Sequence, residues 1–369
     1  MASVIIPKTT SQLNIDFDNI NMGNIIDNIE QPEFTDDIKY LNSQLHYNSK
    51  KLNNSYVATK YLGEEGINNK LYLLRPQNIT SHNATQKYIC KRINIPPGNR
   101  QLLQQIQFEI ELLKYLSFKK NTREFVNPCI DSIINKNNAI TIFPVFNGSS
   151  LPRYKSHMLK ELNTNEYTNL ALLLCKNLLL GLGAIHHNNI AHQNITQNSI
   201  LISTNDISNL NIKYTDFVLG CGNYFEPTDT TKNIAEKCDI THIPVKIDSS
   251  ILSTLGTSHY LDIAIKNDIW RLGIILLELL LPYEDIIMQH REKMIKYGWS
   301  SDIENMCSEL AAKYYFSLSE EERENNKLAY YIWLILNTMI QPVNLRKSCK
   351  YVVDKIVIFE KYLGEDFSV

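Results

Sequence analysis

Short strand-like runs fill the chain between about residues 55 and 147, and helical patterning dominates beyond Gly148; that change constrains the fold more than any other feature. The runs at 56–62, 70–74 and 87–93 are rich in Val, Ile, Leu and Tyr and are separated by Gly, Asn or polar residues. One helix interrupts them: in 101–116 the apolar residues Ile106, Ile110, Leu113 and Leu116 recur at helical spacing. A second strand pair follows at 129–134 and 139–146, joined by an Asn/Lys turn. Strands with one helix, then a larger helical half, define an α+β chain with two lobes. The expected division is an Asn-rich extension at 1–50, a small antiparallel β-sheet lobe with one helix at 51–147, and a mainly α-helical lobe at 148–369.

With 369 residues, 44% of them hydrophobic, the chain can bury a substantial core. A formal net charge of −2 gives no electrostatic footprint for nucleic acid, so a partner must be sought in a site rather than in bulk charge. The seven cysteines are scattered with no C-x-x-C pair, which points to free thiols in a reducing compartment. The first residues lack a charged segment followed by an apolar core, so no secretory signal is expected and the location is read as intracellular. Two apolar stretches bear on membranes. Lys176 and Asn177 interrupt 170–182, Arg271 and Glu278 interrupt 269–281, and both fall short of the roughly 20 residues of a span. They read as buried helices of the larger lobe.

Four motifs then occur in order. His186-His187-Asn188-Asn189-Ile190-Ala191-His192-Gln193-Asn194-Ile195-Thr196-Gln197-Asn198-Ser199-Ile200-Leu201 resembles, without gaps, the protein-kinase stretch L-H-x-x-x-I-x-H-R-D-L-K-x-x-N-I-L. Ile212-Lys213-Tyr214-Thr215-Asp216-Phe217 is similar to the strand leading into D-F-G. Asn267-Asp268-Ile269-Trp270 with Gly273 and Glu278 resembles the D-I-W-S-L-G helix of the large lobe, and Gln341-Pro342 with Arg346 resembles its closing D-P-x-x-R junction. The resemblance implies a two-lobed protein-kinase-like fold, ATP with Mg²⁺ as the ligand, and a nucleotide-binding, transferase type of protein. Asp268, Arg346, His192 and Phe217 are carried over as structural residues, the last two in a hydrophobic column that joins the lobes with Leu113.

In the small lobe, Gly63 and Gly66 resemble a Gly-rich phosphate loop carrying one extra residue, with Asn69 where a third Gly would stand. Lys91 matches the lysine of V-A-I-K that reaches the α/β-phosphates, and Glu109 the helix glutamate that pairs with it. Leu71, Ile89 and Leu201 would sandwich the base, Ile89 narrowing the pocket where the family has Ala. Asp216 is the implied Mg²⁺ ligand.

The catalytic loop departs from the pattern. Asn194 stands at the position of the catalytic carboxylate, Thr196 at that of the lysine facing the γ-phosphate, and Ser199 at that of the metal-binding Asn. Asn198 is adjacent to the metal position but one residue off. An amide orients a hydroxyl and cannot accept its proton at neutral pH, and losing a general base typically slows a reaction by about 10²–10⁴. Gln193 replaces the arginine that receives an activation-loop phosphate, Val218 replaces the D-F-G glycine, and no A-P-E triplet follows, which leaves Arg346 without its usual carboxylate partner. The expectation is a pseudokinase acting as a scaffold or allosteric partner of another protein. A divergent active Ser/Thr protein kinase is the first alternative and a kinase-fold small-molecule phosphotransferase the second.

Overall fold

Period-two burial sets the small lobe. In the computed structural model, which describes residues 35–65, 69–77, 86–204, 210–217, 220–222 and 257–364, five antiparallel strands form one sheet. They are β1 (Tyr56–Glu65), β2 (Asn69–Pro76), β3 (Tyr88–Asn94), β4 (Asp131–Ile134) and β5 (Asn138–Pro144), in the order β1-β2-β3-β5-β4. In β3, Cys90 is fully buried on one face while its neighbours Ile89 and Lys91 point to the other and line a cavity. Register puts Leu71 and Thr141 on either side of Lys91, so three strands hold the lysine in place.

The helix α1 (Thr35–Tyr47) covers the face that carries Cys90. Its Leu41 and Leu45, one turn apart, are buried with Tyr56, Tyr72 and Cys90. Asn42 uses both ends of its amide on the edge strand: Oδ1 accepts the Ala58 N–H at 2.7 Å and Nδ2 donates to Ala58 O at 3.2 Å. Those backbone groups sit where β1 slips register against β2, so the amide satisfies a bulge the ladder cannot. Asp37 meets Lys70 of β2 at 2.6 Å and Arg92 of β3 at 4.0 Å, and Arg92 lies 4.6 Å over the Tyr40 ring. The last part of the stretch read as an Asn-rich extension is therefore built into the small lobe.

The helix α2 (Arg100–Phe118) begins at Asn99, whose side chain accepts the Leu102 N–H, and its apolar stripe of Ile106, Ile110, Leu113 and Leu116 is buried. After β5 the chain forms β6 (Ser149–Ser150), α3 (Leu151–Glu161) and α4 (Thr164–His187), the last opened by a reciprocal Asn163–Glu166 capping box. Among the described residues α4 is long and apolar enough to cross a membrane, and here it is the core helix of the large lobe, with Leu170, Leu174, Leu178 and Leu182 buried. The rest of that lobe comprises α5 (Thr257–Leu280), α6 (Asp285–Tyr297), α7 (Ser301–Ala311), a π-helical turn at Ala312–Phe316, α8 (Glu320–Asn325), α9 (Lys327–Thr338) and α10 (Cys349–Tyr362). Small strands carry the loops of interest: β7 (Ile190–Ala191) pairs with β10 (Cys221–Gly222), and β8 (Ile200–Thr204) lies between β6 and β9 (Leu210–Tyr214).

Gly148 marks the junction for a steric reason. A Cβ there would lie 2.3 Å from the Ile202 carbonyl and 2.6 Å from the Phe146 ring, so only glycine lets the linker press against β8. Cys90, Cys129, Cys175, Cys307 and Cys349 are buried free thiols.

Candidate functional site

Six residues singled out in the sequence converge on one cavity of about 370 Å³ between the lobes: Leu71, Ile89, Lys91, Glu109, Leu201 and Asp216. Glu109 and Leu113, one helical turn apart on α2, share that wall, and Glu109 is buried. Phe143, Phe146, Asn127, Arg153 and Asn198 also line the cavity. An apolar cleft of this size with a few convergent polar groups has the build of a small-molecule site.

Asp216 follows β9 with φ of 66°, a left-handed conformation that aspartate tolerates better than most residues. Both of its carboxylate oxygens are engaged. Oδ1 lies 3.6 Å from the Lys91 ammonium, and Oδ2 accepts a hydrogen bond from Asn194 Nδ2 at 2.6 Å. The amide orientation follows from chemistry, because an ionised carboxylate only accepts and must face the NH₂ end.

His192 holds the Asn194 backbone from below. Its Nδ1 accepts the Asn194 N–H at 3.2 Å, and its Nε2 donates to the Thr215 carbonyl at 2.9 Å, which fixes a neutral ring with the proton on Nε2. The ring packs at a 37° tilt against fully buried Phe217 with centroids 4.1 Å apart, and Phe217 shares one buried cluster with Leu113. Burial lowers the His192 pKa from its ordinary 6.5, outweighing the opposing pull of Asp268 and Asp216. The folded state therefore resists a proton that the unfolded chain takes up, so stability is full above pH 6.5 and falls as the pH drops below it. Urea midpoints at neutral and mildly acidic pH should show that loss, and His192→Phe should show less of it. Equal losses in both proteins would remove His192 as the cause.

The whole loop hangs on Asp268 of α5. This fully buried carboxylate accepts the backbone N–H of His192 at 2.6 Å and of Gln193 at 2.7 Å, and it lies 3.1 Å from His186 Nε2. Gln193 has a left-handed φ of 59° and is buried, and among the described residues no acceptor meets its Nε2. Arg346, expected to lack the family's usual carboxylate partner, is met among the described residues by carbonyls and an indole. Its Nε donates to Gln341 O at 2.8 Å, Nη1 to Lys266 O at 3.1 Å, and the guanidinium lies 4.5 Å over Trp270. Burial alone lowers its pKa to about 10.

Thr196 and Ser199 do not line the cavity. They cap each other around a single 3₁₀ turn: Thr196 Oγ1 accepts the Ser199 N–H at 3.1 Å, and Ser199 Oγ accepts the Thr196 N–H at 2.9 Å while donating to Thr196 O at 2.9 Å. Ser199 is buried, whereas the neighbouring Asn198 is exposed at the cavity wall. Gly63 sits at a bulge opposite Leu71 with φ of 129°, a geometry that needs glycine. Gly66 and Val218 lie outside the described residues, as does the 248–252 stretch aligned with A-P-E.

A family model, the protein kinase domain, matches residues 77–356, and the chain belongs to that family. No curated protein matches the chain. Members of the family typically use ATP and Mg²⁺. The apolar walls at Leu71, Ile89 and Leu201 with Lys91 beside them suit a base and its phosphates. The metal side does not fit. Magnesium asks for near-octahedral oxygen ligands. Here Asp216 is engaged on both oxygens, and the Ser199 hydroxyl is consumed within its own turn.

Proposed function

We propose that the chain is a pseudokinase: a kinase-fold protein that holds an adenine nucleotide and acts by binding a protein partner, as a scaffold or an allosteric component. One observation carries this reading. The residue at the catalytic carboxylate's position is Asn194, and its amide donates to Asp216 at 2.6 Å. A group that donates there has no basic oxygen with which to take the proton of an incoming hydroxyl. The lysine and metal-ligand positions compound the loss, since Thr196 and Ser199 bond to each other. Buried free thiols support a reducing, intracellular setting. The convergence of Lys91, Glu109 and Asp216 on one cavity favours a second reading, a divergent active Ser/Thr kinase.

Saturating ATP should raise the melting temperature, because ligand at 100 times its dissociation constant stabilises by about 2.7 kcal/mol. In the same preparation radiolabelled phosphate should not pass from ATP to the chain or to generic protein acceptors. An unmoved melting temperature with no transfer would leave a scaffold without a nucleotide. Transfer at ordinary kinase rates, about 1–100 s⁻¹, would establish the second reading.

A further inference from the structure

We infer that this pocket takes its adenine nucleotide without a divalent cation, Asn194 serving at Asp216 in the cation's place. The inference rests on the nucleotide-binding reading above and concerns the regulation of that same site. A carboxylate facing the phosphates of a nucleotide is repulsive unless something positive lies between them. Here the protein itself supplies partners to Asp216: Lys91 within the cavity, and Asn194 from outside its lining. The Lys91 ammonium lies 3.6 Å from Oδ1 as an ion pair, and the Asn194 amide donates to Oδ2 at 2.6 Å.

A magnesium ion would have to sit about 2.0–2.1 Å from an Asp216 oxygen. At Oδ2 that space holds the Asn194 NH₂, and admitting the ion would require the amide to turn away and break a short hydrogen bond to a charged acceptor. Ser199, at the family's metal-ligand position, does not serve as a second ligand, since its buried hydroxyl both donates to and accepts from Thr196. Charge points the same way. With Asn in place of the family's carboxylate at 194, the site carries one negative charge fewer, which lessens its demand for a cation.

The test is ATP binding by the full chain, followed by calorimetry and thermal shift, in excess EDTA and in excess Mg²⁺. The dissociation constant should agree within about twofold between the two conditions. Asn194→Asp should create a cation requirement, because two carboxylates then face each other with no amide between them: binding in EDTA should weaken by about tenfold and recover with Mg²⁺. Its unliganded melting curve reports whether the variant folds. Three results would overturn the inference. If ATP binds wild type only with Mg²⁺, the pocket is an ordinary metal–nucleotide site and the nucleotide reading survives. If ATP binds under neither condition, the nucleotide reading falls as well. If Asn194→Asp binds ATP equally with and without the cation, Asn194 is not the group that stands in for it.

Discussion

Asp268→Ala should destabilise the chain by about 3–5 kcal/mol, the loss typical when one partner of a buried charged network is removed. The fully buried carboxylate accepts two buried backbone N–H groups and faces a nitrogen of the partly buried His186. Alanine leaves those donors with nothing to bond, and each orphaned buried donor costs about 1–3 kcal/mol. Domains of this kind are stable by only about 5–15 kcal/mol, so the variant should lose a large fraction of its stability. At about 2–4 °C per kcal/mol the melting temperature should fall by roughly 6–20 °C. Asp268→Asn should fall between, because one carbonyl oxygen still accepts while the NH₂ end meets the other N–H. Hydrogen exchange should locate the damage at residues 192–194, where the loop would lose its anchor. A loss below about 1 kcal/mol would mean the loop is held by something other than Asp268.

The parts of this molecule that can be read from sequence are those set by period and order. Lys91 and Ile89 share a face because β3 alternates, and Glu109 faces them because the α2 stripe fixes which side of that helix is buried. Leu201 and Asp216 follow from motif order alone. What sequence hid was the partner choice of polar groups. Thr196 and Ser199 stand three apart, the spacing of a capping box, and that signal outweighs the metal role which position assigns to Ser199. Arg346 illustrates the same limit: without a carboxylate, a guanidinium can still be satisfied by carbonyls and an indole. α1 was obscured by composition, since the Leu41–Leu45 pair that docks it lies in an Asn-rich stretch. Phe143 and Phe146 looked like ordinary strand residues, and only register shows that Phe143, opposite Ile89, faces the cavity.

Restoring the catalytic loop should recover phosphoryl transfer only when three residues are changed together. Asn194→Asp alone supplies a base and simultaneously takes the donor from Asp216 Oδ2, setting a like charge against it, so little gain is expected. Ser199→Asn alone removes the hydroxyl that satisfies Thr196 N–H, and Thr196→Lys alone removes the oxygen that caps Ser199 N–H. Either single change should cost about 1 kcal/mol of local stability, the usual value of a lost cap. Made together they dissolve the reciprocal cap and replace it with the lysine and asparagine that family members carry. With ATP and Mg²⁺ in the assay, the triple variant should exceed wild type in autophosphorylation or ATP hydrolysis by about 10²-fold, the lower end of what a general base contributes. The three effects act on one transition state, so the gain should far exceed the product of the single-variant effects. Two results would count against this account. If Asn194→Asp alone reaches the triple variant's rate, Thr196 and Ser199 are irrelevant to the deficit. If wild type already transfers phosphate at about 1–100 s⁻¹, some other group performs the work of the missing carboxylate and the Asn194–Asp216 hydrogen bond does not mark an impaired site.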